Sequence, residues 1–118
     1  TEDLVAKLGK GVMSTEQWQA LGACIAHFHQ RGVYHADLNA KNILFQPAQT
    51  EPLTPERFYL IDFDRGELKT PSPQWQQSNL DRLLRSFNKE QAKLPNLAFT
   101  ADNWSSLMQG YQAAMQSA

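Results

Sequence analysis

The spacing of three polar residues around short apolar runs constrains this chain more than any other feature of its sequence. Asp37 is followed five residues later by Asn42, and Asp62 comes directly after the apolar run Phe58–Ile61. Short apolar runs of this kind are typical of buried strands. We therefore expect a tight loop between short strands, which would bring the three polar side chains to the same place.

The residue types at these positions suit phosphoryl transfer from a nucleotide–magnesium complex. Mg²⁺ prefers hard oxygen ligands and keeps several of its own waters, so Asn42 and Asp62 are enough to hold it beside the phosphates. A hydroxyl group is a poor nucleophile at neutral pH unless a carboxylate accepts its proton, and Asp37 is the candidate for that base. Asp and Asn also cap turns in loops, which is the alternative explanation of each residue taken alone.

The remaining pattern predicts one mainly helical domain with short strands. Two further strands are predicted at Val33–Tyr34 and Ile43–Phe45, on either side of the loop. A polar stretch with prolines from Gln46 to Glu56 is expected to form a turn between strands. Periodic apolar residues and their capping signals predict three helices: Ser14 or Thr15 to about Arg31, about Trp75 to Lys89, and Asp102 or Asn103 to Gln116.

Three segments resemble a known family. Residues 28–38, Phe-His-Gln-Arg-Gly-Val-Tyr-His-Ala-Asp-Leu, are similar to the end of the long helix and the catalytic loop in the C-lobe of protein kinases. His-Ala-Asp-Leu-Asn-Ala at 35–40, Ile-Asp-Phe-Asp-Arg-Gly at 61–66 and Asn-Leu-Asp-Arg-Leu-Leu-Arg-Ser at 79–86 are similar to the lipopolysaccharide kinase family, and most of all to its members that act on 3-deoxy-D-manno-octulosonic acid (Kdo). The resemblance runs from about Asp3 to Tyr111, nearly the whole chain.

The resemblance implies an α+β fold, a mainly helical protein-kinase-like C-lobe formed by residues 1–118, with short β-hairpins that carry the catalytic loop and the metal-binding Asp. It implies ATP and Mg²⁺ as cofactors, Asp37 as catalytic base, and Asn42 and Asp62 as metal and nucleotide ligands. The implied acceptor is a hydroxyl group of a Kdo sugar on a lipid A precursor, in lipopolysaccharide inner-core biosynthesis. The implied location is the cytoplasmic face of the bacterial inner membrane, with peripheral membrane contact.

Departures from ordinary protein kinases favour a small-molecule acceptor. Ala36 stands where many of them have Arg, which argues against an activation loop held by a phosphate–arginine contact. Asp64 replaces the usual Gly, as in choline and aminoglycoside kinases, and is either a further metal ligand or a turn residue. Lys41 either neutralises the charge of the transferred phosphate or faces solvent. Helical patterning resumes at Trp75, which leaves little room for a peptide-binding segment after Asp62.

Some parts of the kinase fold are missing from the sequence. None of its glycines forms a Gly-x-Gly-x-x-Gly motif, and no strand lysine with a helix glutamate partner precedes the catalytic loop. Both parts belong to the N-lobe in this fold. Residues 2–8 resemble the short helix that follows the hinge between the lobes. We therefore expect an N-lobe of the same protein as the partner of this chain, and we expect the chain alone to be inactive.

Composition narrows the class of protein further. A hydrophobic content of 42% and a net charge of −1 are typical of a globular domain and give no indication of a nucleic-acid partner. Cys24 is the only cysteine, which excludes a disulfide framework within the chain. No close Cys or acidic residue completes a plausible set of ligands with the three histidines, His27, His29 and His35, which argues against a zinc site. No run of 18 apolar residues is present.

One basic stripe is predicted outside the loop. At 3.6 residues per turn, Arg82, Arg85 and Lys89 fall on one side of their predicted helix, opposite its leucines and Phe87. Lys93 joins them if the helix continues that far. Such a stripe can meet lipid phosphates at a membrane surface, meet an acidic sugar acceptor, or form an ordinary solvated face.

The same residues leave two alternative functions open. One is a different small-molecule or heptose kinase of the same fold. The other is a pseudokinase-like binding module that uses the lobe only for assembly. The presence of Asp37, Asn42 and Asp62 together argues against the second.

Overall fold

The computed structural model describes residues 2–35, 38–51, 53–61 and 66–116 of the chain. The helices in these ranges are α1 (Leu4–Lys10), α2 (Thr15–Gln30), α3 (Pro73–Lys93) and α4 (Ala101–Gln116), with a short 3₁₀-helix at Ala40–Asn42. The strands are β1 (Glu2–Asp3), β2 (Val33–His35), β3 (Ile43–Gln46), β4 (Gln49–Thr50), β5 (Leu53–Thr54), β6 (Arg57–Leu60) and β7 (Gly66–Leu68).

The strands form three small antiparallel sheets in the described part of the chain. Their orders are β1-β3-β6, β2-β7 and β4-β5. In the β3–β6 ladder, Ile43 pairs with Leu60 and Phe45 pairs with Phe58. All four side chains are buried, because alternate residues of a strand face the same side of a sheet. The apolar residues of both strands therefore fix the register that joins the loop to Ile61.

Local signals set both ends of α2. The Ser14 Oγ accepts a hydrogen bond from the Gln17 backbone N–H at 3.1 Å, and the Gln17 side chain accepts one from the Ser14 N–H at 2.9 Å. At the other end Gly32 has a φ of 77°, in the left-handed region that favours glycine. A Cβ there would overlap the Lys69 carbonyl oxygen. The chain therefore turns sharply from α2 into β2, towards the loop.

Glycines allow α2 and α4 to approach closely. A Cβ on Gly22 would overlap the Leu107 carbonyl oxygen, and a Cβ on Gly110 would overlap the Gln19 carbonyl oxygen. The two backbones are therefore in direct contact where the helices cross.

An aromatic cluster fills the core between α2, α3 and the segment before α4. The rings of Phe87 and Phe99 stack with centroids 4.6 Å apart and an interplanar angle of 7°. The fully buried Trp18 meets the Phe87 ring edge-on at 5.6 Å. Aromatic pairs of this geometry stabilise a core beyond the area they bury. They hold α3 in place beside the loop.

The predicted helices and strands are present, with different ends. α3 runs four residues beyond the predicted end at Lys89, and the strand expected at Phe58–Ile61 is found at Arg57–Leu60. The polar stretch from Gln46 to Glu56 contains the hairpin β4–β5, and β7 was not predicted. Cys24 is half-buried; its thiol lies 3.8 Å from the Phe58 carbonyl oxygen, and burial raises the pKa of the thiol. This environment favours an unreactive thiol.

Candidate active site

Buried apolar residues anchor the Asp37 loop, which we define as residues 36–42. Leu38 and Ala40 are fully buried, on either side of Asn39. The Asn39 side-chain oxygen accepts hydrogen bonds from the backbone N–H groups of Lys41 and Asn42, at 2.9 and 3.2 Å. Asn39 is thus the N-cap of the 3₁₀-helix Ala40–Asn42. The cap fixes the backbone at Asn42.

A backbone hydrogen bond joins this loop to the strand that precedes Asp62. The Ile61 N–H donates to the Asn42 carbonyl oxygen at 2.9 Å, which extends the β3–β6 ladder by one step. Asp62 is the next residue after Ile61 in the chain. Asn42 is half-buried at this position. Asn42 therefore lies beside Ile61, the residue that precedes Asp62 in the chain.

The sheet β2–β7 brings together the other ends of the two predicted segments. His35 of β2 pairs with Gly66 of β7, so the chain leaves for Asp37 and returns from Asp64 at neighbouring points. Asp37, Asp62 and Asp64 themselves lie outside the described residues. The described ends of both segments meet in the two ladders. The convergence of the polar side chains between these ends stays a prediction.

Lys41 is exposed and makes an ion pair with α3. Its Nζ lies 3.5 Å from Glu90 Oε1, with side-chain exposures of 60% for Lys41 and 9% for Glu90. The well-buried Glu90 carboxylate thus compensates part of the charge of Lys41. The proposed contact of Lys41 with a transferred phosphate stays a prediction.

The loop is also held from the other side by α3. Ser86 Oγ accepts the Ala40 backbone N–H at 2.8 Å. Neither this bond nor the role of Glu90 was predicted, because both depend on how α3 packs against the loop. The capping role of Asn39 was also missed, although Asn is among the preferred N-cap residues and could have indicated it.

His29 belongs to a buried network and not to a metal site. One ring nitrogen, Nδ1, lies 2.7 Å from the Tyr111 hydroxyl, and the other, Nε2, lies 3.0 Å from Asn79 Oδ1. Because Asn79 Oδ1 can only accept, the arrangement fits a neutral ring that donates from Nε2 and accepts from Tyr111. Burial lowers the pKa of His29 and raises the pKa of Tyr111 to about 12, which favours this state.

Two kinds of feature are absent from the described ranges. Within them, no group of three His, Cys, Asp or Glu side chains is arranged to hold a metal ion. The predicted ligands Asp62 and Asp64 fall outside these ranges. None of the described helices has the length and apolar content needed to cross a membrane.

Comparison with known proteins decides the family. The sequence profile of the lipopolysaccharide kinase (Kdo/WaaP) family matches residues 1–111. The chain belongs to this family. The 3-deoxy-D-manno-octulosonic acid kinase of Mannheimia succiniciproducens is 42% identical over 112 residues, which are 95% of this chain and 44% of the relative. The enzyme of the same name from Haemophilus influenzae strain 86-028NP is 39% identical over 93% of this chain and 43% of the relative.

A solved structure confirms the predicted fold class. The structure of WaaP in complex with acyl carrier protein matches with a TM-score of 0.62 and 18% identity, over 92% of this chain and 40% of that chain. At this identity the likeness shows the fold alone, which is the protein-kinase-like α+β fold expected from the sequence. This chain spans less than half the length of the relatives it matches.

Proposed function

We propose that this chain is the C-lobe of an ATP- and Mg²⁺-dependent kinase that phosphorylates a hydroxyl group of a Kdo sugar on a lipid A precursor. The rest of the enzyme would include the N-lobe, which covers the nucleotide in this fold. The names of the relatives support the sugar acid as acceptor. The enzyme would act at the cytoplasmic face of the inner membrane, where such a lipid-linked acceptor is reached by peripheral contact.

The observation that carries the proposal is the 2.9 Å hydrogen bond from Ile61 to the Asn42 carbonyl oxygen. It supports a site in which the Asn42 side chain and the Asp62 carboxylate act together. An amide oxygen and a carboxylate are hard donors, which fit Mg²⁺. When bound, Mg²⁺ would neutralise negative charge on the phosphates of the nucleotide. Asp64 is a further candidate ligand.

Asp37 would act as the general base. Its carboxylate would orient the acceptor hydroxyl and receive its proton as the sugar oxygen forms a bond to the γ-phosphorus of ATP. The bond from that phosphorus to the bridging oxygen breaks at the same time and ADP leaves. The buried neighbours Leu38 and Ala40 would hold the loop in position for this step.

The proposal is tested in the complete enzyme, with this chain joined to its N-lobe, by measuring phosphate transfer from ATP to Kdo-bearing lipid. We expect Asp37→Asn to lower kcat by about 100-fold to 10,000-fold, the usual contribution of a general base. Asp102→Asn, which changes an exposed aspartate in the first turn of α4, is the matched control and should keep normal turnover.

Three outcomes would contradict the proposal. Full turnover by the Asp37→Asn enzyme would exclude Asp37 as the general base. Transfer to heptose but not to Kdo would indicate a different sugar kinase of the same fold. Absence of transfer to any sugar would favour a pseudokinase-like binding module. The isolated 118-residue chain should show no transfer, because half of the nucleotide cleft belongs to the N-lobe.

A further inference from the structure

A basic cleft lies beside the Asp37 loop. It is open, has a volume of about 570 Å³, and is lined by residues of the Asp37 loop and of one face of α3. Lys41 lines it from the loop, while Arg82, Arg85, Lys89 and Lys93 line it from α3. The helix continues to Lys93, so the four helix residues form one continuous stripe on the wall of this cleft.

The charge of the cleft is only partly compensated. Lys41 Nζ and Lys93 Nζ lie 3.5 and 4.0 Å from the same oxygen, Oε1 of Glu90. Arg82, Arg85 and Lys89 are exposed and form no ion pair with a residue in the described ranges. Like charges one turn apart on a helix destabilise it. A bound anion would relieve this repulsion. The positive charge is local to the cleft, because the chain as a whole carries a net charge of −1.

A hydrogen bond connects the cleft to the loop that carries the predicted base. The 2.8 Å hydrogen bond from the Ala40 N–H to Ser86 Oγ ties the loop to the same face of α3. Asn39, which lines the cleft, is two residues from Asp37, so their Cα atoms are at most roughly 7.6 Å apart. A sugar with one hydroxyl at Asp37 can therefore place a second group in the cleft.

We infer that this cleft binds the carboxylate of the acidic sugar acceptor, with Arg82 and Arg85 as its binding residues. The inference rests on the proposed function, because the relatives are named for an octulosonic acid, a sugar that carries a carboxylate. The planar guanidinium group matches a carboxylate in a bidentate arrangement, unlike an ammonium group. Phosphate groups of a lipid surface offer similar anionic oxygens, and the experiment separates the two sources.

The first test compares Arg82→Gln and Arg85→Gln in the complete enzyme. We expect each to raise KM for the Kdo acceptor about tenfold, the usual effect of losing one charge-assisted hydrogen bond, and to change kcat less than threefold. The matched control is Arg57→Gln, which removes the same charge from an exposed position at the far end of β6 and should change neither constant.

A second acceptor identifies the group that is recognised. The methyl ester of the sugar acid has no negative charge, so the wild-type enzyme should use it with a KM about tenfold higher than that of the acid. The Arg82→Gln and Arg85→Gln enzymes should have lost most of this preference. A purely structural role of the two arginines would not change the ratio between two acceptors.

Glu90→Gln is expected to bind the sugar acid more tightly, and misfolding would not increase affinity. The variant removes the carboxylate that competes for Lys41 and Lys93, so Kd for the free sugar acid should fall by about threefold to tenfold. Binding is measured by calorimetry without nucleotide, which keeps the result independent of catalysis. A Kd that rises or stays the same would argue against anion binding here.

The possible outcomes separate this inference from the proposed function. Normal transfer with unchanged KM in both arginine variants would overturn the inference and leave the kinase proposal intact. Absence of transfer by the wild type, together with tight and arginine-dependent binding of the sugar acid, would overturn the kinase proposal and leave the inference intact. Weaker binding of the variants to vesicles of anionic phospholipid, with an unchanged Kd for the sugar acid, would assign the cleft to the membrane surface and overturn the inference.

Discussion

Gly22 offers a quantitative test of how α2 packs against α4. A Cβ at Gly22 would overlap the Leu107 carbonyl oxygen and lie 2.8 Å from the Tyr111 backbone nitrogen. Both atoms belong to the backbone of α4, so no side-chain rotation can relieve the overlap. Gly22→Ala must therefore push the two helices apart.

The magnitude follows from two opposing effects. Overpacking a core costs about 1–3 kcal/mol, and backbone neighbours place Gly22 near the upper limit. Alanine favours a helix over glycine by about 1 kcal/mol. We expect Gly22→Ala to lower the free energy of unfolding by about 2 kcal/mol. The same change at Gly9 of α1 meets no atom within 4 Å and should raise stability by up to about 1 kcal/mol.

The assay is urea unfolding followed by tryptophan fluorescence, since the buried Trp18 lies in the same core. Gly110→Ala should cost about as much as Gly22→Ala, because a Cβ there overlaps the Gln19 carbonyl oxygen. The double variant should cost less than the sum, because helices that have already separated accommodate the second methyl group. Equal stability changes at Gly22 and Gly9 would refute the close approach of the two backbones.

His29→Gln should flatten the acid side of the stability curve. The pKa of His29 in the folded state lies below its ordinary 6.5, so the free energy of unfolding decreases as pH falls below 6.5, by at most about 1.4 kcal/mol per pH unit. His27→Gln is the control. An unchanged slope of the free energy of unfolding against pH in His29→Gln would contradict the assignment. Ser14→Ala should cost about 1 kcal/mol by urea unfolding, whereas the exposed Ser78→Ala should be neutral or slightly stabilising; equal effects would exclude the capping box. Phe87→Ala should lower the free energy of unfolding by about 4 kcal/mol, and a loss under 1 kcal/mol would disprove its central place in the core.

The parts of the fold that were predictable are those that local chemistry determines. Ser14 and Gly32 mark the ends of α2 through a capping box and a positive φ, which involve neighbouring residues. The strands beside the loop were predictable from their apolar runs. These runs contain Ile43 and Phe58, and the structure buries both side chains. Pro95 was the available signal that α3 ends near Lys93 and not at Lys89, because the residue before a proline disfavours helix.

The parts that were missed depend on pairing between distant segments. β7 has no alternating apolar pattern, and it is a strand because it pairs with β2. The contacts of Ser86 and Glu90 with the loop exist only when α3 packs beside it. The adjacency of Asn42 and Ile61 was predictable because sequence motif and strand pattern agreed at that point. The roles of the three aspartates stay predictions.

The ladder between β3 and β6 has an evolutionary consequence. Because it joins Asn42 to Ile61, the relative placement of these two residues depends on strand register and not on the number of residues between them. Insertions around the outer hairpin β4–β5 leave that ladder intact. A single deletion inside β6 would turn its side chains to the opposite face. Length variation among natural members of the family should therefore concentrate in the outer hairpin and avoid the four residues of β6.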